Sequence, residues 1–164
     1  MAETVERLLF KDVTTRLTSD FPRHVEGCLA VLTEDDLWWR PHDQSNAVGN
    51  LVLHVAGSNR YYLDHVIGGA PAVRDREAEF AARGECTKAD VLGVWHDATA
   101  RVVSVLSGLT TERLTQPTSD RNRPVIEILL HVTHHNALHI GQIVWITKLR
   151  KPGVIQELFR GGTP

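Results

Sequence analysis

Residues 124–150 read PVIEILLHVTHHNALHIGQIVWITKLR and form the most apolar stretch of the chain. Apolar side chains cover nearly every side of a helical projection, which is typical of a helix that is buried on most of its sides. Pro124 suits the first turn of a helix, because its missing N–H is not needed there. The sequence therefore predicts a buried helix from Pro124 to about Arg150.

This predicted helix contains four histidines: His131, His134, His135 and His139. At about 100° per residue, positions four apart share a face, so His131, His135 and His139 form a stripe. Neighbouring members of the stripe are ~6 Å apart and can bind one metal ion, whereas the two outer ones are ~12 Å apart and cannot. Either adjacent pair can therefore supply two ligands, and a catalytic zinc-type site takes a third protein ligand from elsewhere.

Two other long helices have clear start and stop signals. One is predicted to begin at a cap formed by Ser45 or Asn46 and to end at Gly68, and the other to run from its cap at Thr87 to Gly108. The roughly 18 residues between them, at ~3.3 Å each, can travel the full ~35 Å length of a helical bundle. These two helices can therefore run parallel.

Apolar residues at helical spacing also cover residues 3–32, where Pro22 is predicted to break or kink the segment. No segment shows the alternation of a β-strand. The sequence thus predicts an all-α protein, a four-helix bundle with a long crossover between helices two and three.

Composition bounds the classes of function. The 164 residues, 42% of them hydrophobic, suit a single domain over residues 1–164. The net charge is −2 and the basic residues are dispersed, so no nucleic-acid partner is expected. No apolar run reaches the ~18 residues of a membrane span, and a cytoplasmic protein without membrane association is expected.

His54 lies in the predicted second helix among Leu51, Leu53 and Val55, where an unpartnered imidazole is costly to bury. It is either a third metal ligand or a core histidine with a hydrogen-bonding partner. Asn50 and Ser58 flank it on the same helix face.

Polar residues elsewhere are candidates for contacts with the ligand histidines or with a substrate. Gln142, one turn beyond His139, can hydrogen-bond a ligand imidazole or a bound water. In the crossover, Arg74, Arg76 and Glu79 are expected to form an ion-pair network that anchors the loop, the alternative being a guanidinium over the open coordination position.

Two motifs resemble a known family. His135-Asn-Ala-Leu-His139-Ile-Gly-Gln142 is similar to the H-x-x-x-H-(R/I)-G-Q motif on the last helix of the DinB-like metal-binding four-helix bundles, and Leu51-Val-Leu-His54 to their second helix. The similarity extends over most of the chain. The resemblance implies a DinB-like fold with His54, His135 and His139 as ligands of one divalent ion, zinc or nickel. Ile140 stands where other branches carry an arginine, which removes any substrate role of that arginine here.

This family is related to transferases that use mycothiol or bacillithiol, so the resemblance implies a metal-dependent transferase acting with a small-molecule thiol and an electrophile. A non-catalytic metal-binding or structural dimer and a metal-dependent hydrolase are the alternatives. Hydrolysis is less favoured because no carboxylate accompanies the histidines on the last helix. The sequence assigns no catalytic residue.

A homodimer is also expected. The last helix carries more apolar groups than one bundle face can bury, and exposed apolar patches mark interfaces. Val132, Ile143 and Trp145 are the candidate interface residues.

Overall fold

A computed structural model describes residues 3–118 and 122–154 of the chain. Within these residues the regular structure is helical, apart from one isolated bridge between Pro117 and Pro124. The α-helices, in chain order, are α1 (Val5–Thr15), α2 (Phe21–Val31), α3 (Glu34–Trp38), α4 (Val48–Asn59), α5 (Arg76–Ala81), α6 (Lys88–Ser107) and α7 (Val125–Arg150). The predicted helices at Thr87 and Pro124 thus begin and end close to the expected positions. None of the helices in the described ranges is long and apolar enough to cross a membrane.

The first long helical stretch passes through Pro22 without ending. Five residues of π-helix, Arg16–Asp20, join α1 to α2, and the Phe21 N–H donates to the carbonyl of Arg16, five residues earlier. Proline lacks an N–H and its ring clashes with the preceding turn of an α-helix. The wider turn accommodates Pro22 and the helical stretch continues, so of the two predicted outcomes, a break or a kink, the break is wrong.

The start of α4 also differs from the sequence prediction. The N-cap residue is Ala47, and the side chain of Asn50 accepts its backbone N–H at 3.1 Å. The caps predicted at Ser45 and Asn46 are therefore wrong, because a side chain inside the first turn satisfies the backbone group. A second π-helix, Arg60–Ile67, continues α4.

Side-chain pairs give the relative directions of the helices. Arg60 approaches Asp97 at 4.0 Å, and Asp64 pairs with Arg101 at 3.2 Å. A residue further along the stretch that begins with α4 thus contacts a residue further along α6. The helical stretch that contains α4 and the π-helix after it therefore runs parallel to α6, as the long crossover allows. In contrast, His54 meets His135 and His139 whereas the later Tyr62 meets the earlier His131, so α4 and α7 are antiparallel.

α7 contacts α1, α2 and α4. Val132 and Ile143 are completely buried in the core of the single chain, so these two are wrong as interface residues. Trp145 is 55% exposed. The neighbours within the chain bury only part of α7, because Leu130, Leu138, Trp145 and Leu149 share an exposed face; the expectation of a helix buried on most of its sides is therefore wrong.

A buried carboxylate connects the end of α7 to α3. Asp36 is 3% exposed, accepts the N–H of Thr33 in the cap of α3, and pairs with Arg150 at 2.8 Å and Lys151 at 2.7 Å. The hydrogen bond from Lys151 contributes most to lowering the pKa of Asp36 far below its usual range. A carboxylate with a lowered folded-state pKa stabilises the fold above its unfolded pKa, and this contribution is lost as pH falls below it.

We expect Asp36→Asn to lower the free energy of unfolding at pH 7 by about 2 kcal/mol, less than a fully buried pair would lose, because both cations are partly exposed. The variant should also lose less stability than the wild type between neutral pH and pH ~3, below the unfolded pKa of ~3.9. Urea unfolding at the two pH values measures both effects. Asp35→Asn, on the exposed side of the same helix, is the control; equal losses in the two variants would contradict the assignment.

Candidate metal centre

Three of the nine histidines come together between α4 and α7. One ligand atom from each of His54, His135 and His139 lies within 4.8 Å of the others. The Nε2 atoms of His54 and His135 are 3.1 Å apart, and the ring centroids of His135 and His139 are 4.6 Å apart. The structure thus brings His135 and His139, one of the two adjacent pairs of the stripe, to His54.

The remaining histidines of α7 are not part of this group. The ring of His131 packs edge-on against Tyr62 at 4.9 Å, and its centroid is 6.2 Å from that of His135. His134 is exposed. The sequence left two adjacent pairs open as ligands. The fold does not bring the pair of His131 and His135 to a third histidine.

The distance between the two Nε2 atoms fits the donor set of a metal ion. Two ligand atoms at ~2.0 Å from a tetrahedral ion are separated by about 3.3 Å, which is close to the observed distance between the Nε2 atoms of His54 and His135. Two unprotonated imidazole nitrogens at this distance repel each other unless a proton or a cation lies between them. The three residues can therefore hold a metal ion.

The protonation of the histidines favours ligation. Burial is the main reason why the pKa of His135 is lowered to about 4, and the neighbouring His139 and His54 act in the same direction. Burial likewise lowers the pKa of His139. Neutral imidazole is the form that binds metal, so both side chains are ready to act as ligands at neutral pH.

A carboxylate from the crossover orients His54. Nδ1 of His54 lies 2.9 Å from Oε2 of Glu79 and 3.2 Å from a terminal nitrogen of Arg74, and His54 and Glu79 are both buried. Because an ionised carboxylate only accepts, the Nδ1–H of His54 donates to Glu79. Arg74 donates to both oxygens of Glu79, through Nε at 2.9 Å and through a terminal nitrogen at 3.0 Å. Although burial raises the pKa of Glu79, the hydrogen bonds from His54 and Arg74 outweigh it and the pKa is lowered. An ionised Glu79 fixes the tautomer of His54 in which Nε2 carries the lone pair.

A glycine makes this contact sterically feasible. Gly57 lies one turn after His54 on α4, and a Cβ at that position would overlap the carboxylate of Glu79 and lie against Arg74. Sequence reasoning expected Glu79 only as an anchor of the crossover and missed its contact with His54. The one sequence signal was Gly57 in a helix interior, where glycine usually has a packing reason.

Gln142 orients His139. Its Oε1 atom lies 2.9 Å from Nδ1 of His139, which therefore donates and leaves Nε2 free. The Nδ1 atom of His135 is buried without a hydrogen-bond partner in the described part of the chain. Two of the three imidazoles are thus oriented by an oxygen acceptor on the ring nitrogen away from the centre.

The other candidate residues are Asn50, Ser58 and Arg76. The amide nitrogen of Asn50 donates to the backbone oxygens of Glu79 and Ala82, both at 3.0 Å, and so anchors the crossover to α4. Ser58 is buried one turn beyond His54. Arg76 lies 5.0 Å above the ring of Phe80, so the guanidinium that reaches the site is that of Arg74.

These residues define a helical protein with a three-histidine centre that can hold a metal ion. The family described as "Protein of unknown function (DUF1572)" matches residues 6–158, and the chain belongs to this family. No curated protein matches the sequence. The chain is similar to the crystal structure of "the conserved protein of locus from Enterococcus faecalis", with a TM-score of 0.65 and 17% identity over 90% of this chain and 98% of that chain. At this identity the likeness shows the fold alone.

We expect Glu79→Gln to weaken metal binding by about 10- to 100-fold, because the amide no longer fixes the tautomer and basicity of His54. A competition titration with a chromophoric chelator measures the affinity. Glu77→Gln, an exposed change on the same short helix, is the matched control. If both variants bind metal as tightly as the wild type, Glu79 has no role in orienting the ligand.

Proposed function

We propose that the protein is a DinB-like four-helix bundle that binds one divalent ion, zinc or nickel, through His54, His135 and His139. The observation that carries the proposal is the convergence of these side chains, with His54 and His139 oriented by Glu79 and Gln142. Neutral nitrogen ligands at these spacings suit zinc and nickel better than calcium or magnesium, which prefer oxygen.

His54→Ala, His135→Ala and His139→Ala should each abolish stoichiometric metal, because three ligands are needed to hold the ion at neutral pH. His134→Ala and His96→Ala should bind one ion per chain, as both side chains are exposed. Metal analysis of protein purified without a histidine tag gives the stoichiometry, and circular dichroism confirms that each variant is folded. Retention of the ion in the first three variants would refute the ligand set.

We further propose that the bound ion serves a transferase that uses a low-molecular-weight thiol. Three neutral ligands leave the ion its full charge, which lowers the pKa of a thiol and stabilises the thiolate. In the reaction, the thiol would lose its proton to solvent, its sulfur would bond to the electrophilic carbon as the bond from that carbon to the leaving group breaks, and the leaving group would depart with the electron pair and take up a proton from solvent. A histidine that is neutral and oriented can bind the ion, and in this way it favours the proposed chemistry.

The positions of the carboxylates disfavour a hydrolase. Among the residues that the structure describes, Glu79 is the carboxylate in contact with His54, and its oxygens accept hydrogen bonds from Arg74 and His54. It is therefore held as a low-pKa acceptor and not as a general base for water. A non-catalytic protein whose ion joins α4 to α7 is the remaining alternative, and it predicts metal binding without any response to thiols.

In cobalt-substituted protein, we expect mycothiol, bacillithiol or glutathione to produce a sulfur-to-metal charge-transfer band, since the proposed ion has a coordination position open to sulfur. His135→Ala should erase the band, and His134→Ala should retain it. Absorbance titration measures it. If no thiol perturbs the spectrum of the loaded protein and no electrophile is consumed, the non-catalytic function replaces the transferase.

A homodimer in the cytoplasm remains part of this proposal. Trp145 is the candidate interface residue that is exposed, and Leu138 and Leu149 are exposed on the same side of α7. We expect light scattering at micromolar concentration to give twice the mass of the chain, because such apolar stripes associate. A monomeric mass would contradict the dimer without affecting the metal site.

A further inference from the structure

A cavity of about 300 Å³ lies beneath the crossover, between α5 and the parallel helices α4 and α6. Its walls are mostly apolar and include Leu53, Val73, Ala78, Ala82 and Val94. Val73 is 65% exposed and Val94 is 40% exposed, so part of this apolar surface is open to solvent. Apolar walls with a few charged groups are typical of a site for a small molecule.

The crossover follows α4 in the opposite direction. The side chain of Asn50, near the start of α4, donates to the backbone oxygen of Ala82 at 3.0 Å. Gly57, about two turns later on α4, lies against the earlier Arg74, because a Cβ at Gly57 would be 3.5 Å from Nε of that side chain. The late residues of α4 therefore lie beside the early residues of the crossover.

Two side chains of opposite charge consequently lie toward the same end of the cavity. Arg60 comes about one turn after Gly57, and Asp75 directly follows Arg74. Both Arg60 and Asp75 line the cavity. The cavity thus has a charged end, and the apolar walls extend from it.

Both of these side chains can take a further partner. Nε of Arg60 lies 4.0 Å from Asp97, but the carboxylate of Asp97 accepts a hydrogen bond from Arg101 at 2.9 Å. Within the described ranges, Arg60 has no closer carboxylate. Oδ1 of Asp75 accepts the backbone N–H of Ala78 at 2.9 Å, which leaves the second oxygen of this exposed side chain for a ligand.

The other two charged side chains of the cavity neutralise each other. Arg74 donates to both oxygens of Glu79, at 2.9 and 3.0 Å. This pair is internal to the protein, so the charge of a ligand is selected by Arg60 and Asp75. A cation and an anion at one end of an apolar cavity match a molecule that carries both charges next to an apolar group.

We propose that this cavity binds an α-amino acid with an aliphatic side chain of about the size of leucine. The α-carboxylate pairs with Arg60, whose planar guanidinium suits a carboxylate, and the α-ammonium donates to Asp75. The aliphatic group packs on Leu53, Ala82 and Val94 and is removed from water. The site is distinct from the three histidines and does not depend on the metal ion or the thiol chemistry proposed for them.

Isothermal titration calorimetry on the purified protein tests the proposal with three ligands of similar shape: L-leucine, isocaproate, which lacks the ammonium group, and isopentylamine, which lacks the carboxylate. Leucine should bind about fivefold more tightly than either of the other two, because each partly exposed ion pair contributes modestly. No heat from leucine at millimolar concentration, or equal affinities for the three ligands, would overturn the proposal. This comparison uses the wild type and is decisive even if a variant fails to fold.

Two variants assign the charges. Arg60→Gln should remove the preference for leucine over isopentylamine, and Asp75→Asn, whose side chain can still cap α5, should remove the preference over isocaproate. Val94→Asp, which puts a charge on the exposed apolar wall, should abolish binding of leucine. Glu77→Gln, an exposed carboxylate of α5 outside the cavity, should leave all three affinities unchanged. Unaltered preferences in folded Arg60→Gln and Asp75→Asn, as judged by circular dichroism, would refute the assignment of the site.

Discussion

The buried carboxylate of Glu79 joins the crossover to the histidine that completes the site. It accepts hydrogen bonds from Arg74 and His54 at 2.9–3.0 Å, and Gly57 leaves the space in which it lies. A buried charge is tolerated only when its partners satisfy it, so the position of the crossover and the tautomer of His54 depend on each other. The loop that connects two parallel helices is thus also part of the candidate metal centre.

α7 serves both the core and the site. Its buried face, which includes Val132 and Ile143, packs within the chain, while His135 and His139 project from an adjoining face toward α4. Burial beside that core lowers the pKa of His135 to about 4. The same packing that holds α7 in place therefore keeps the imidazole of His135, a candidate metal ligand, neutral.

The environment on the two sides of the histidines differs. On the side of the crossover, Glu79 and Arg74 form a charged, buried pair; on the side of the loop before α4, Gln142 and its neighbours present uncharged amides. The carboxylate of Glu79 orients His54, and the uncharged side chains on the other side can form hydrogen bonds.

The all-helical class, the bounds of α6 and α7 and the stripe of histidines follow from the sequence, because helical periodicity and caps are local signals. Local signals were insufficient at Pro22, where a π-helical turn accommodates a residue that has no N–H. They were also insufficient at Ala47, whose N–H is accepted by the side chain of Asn50. Only the tertiary structure decided between His131 and His139 and paired Glu79 with His54. These contacts join residues far apart in the chain, and spacing along one helix carries no information about what the opposite helix or loop brings to it.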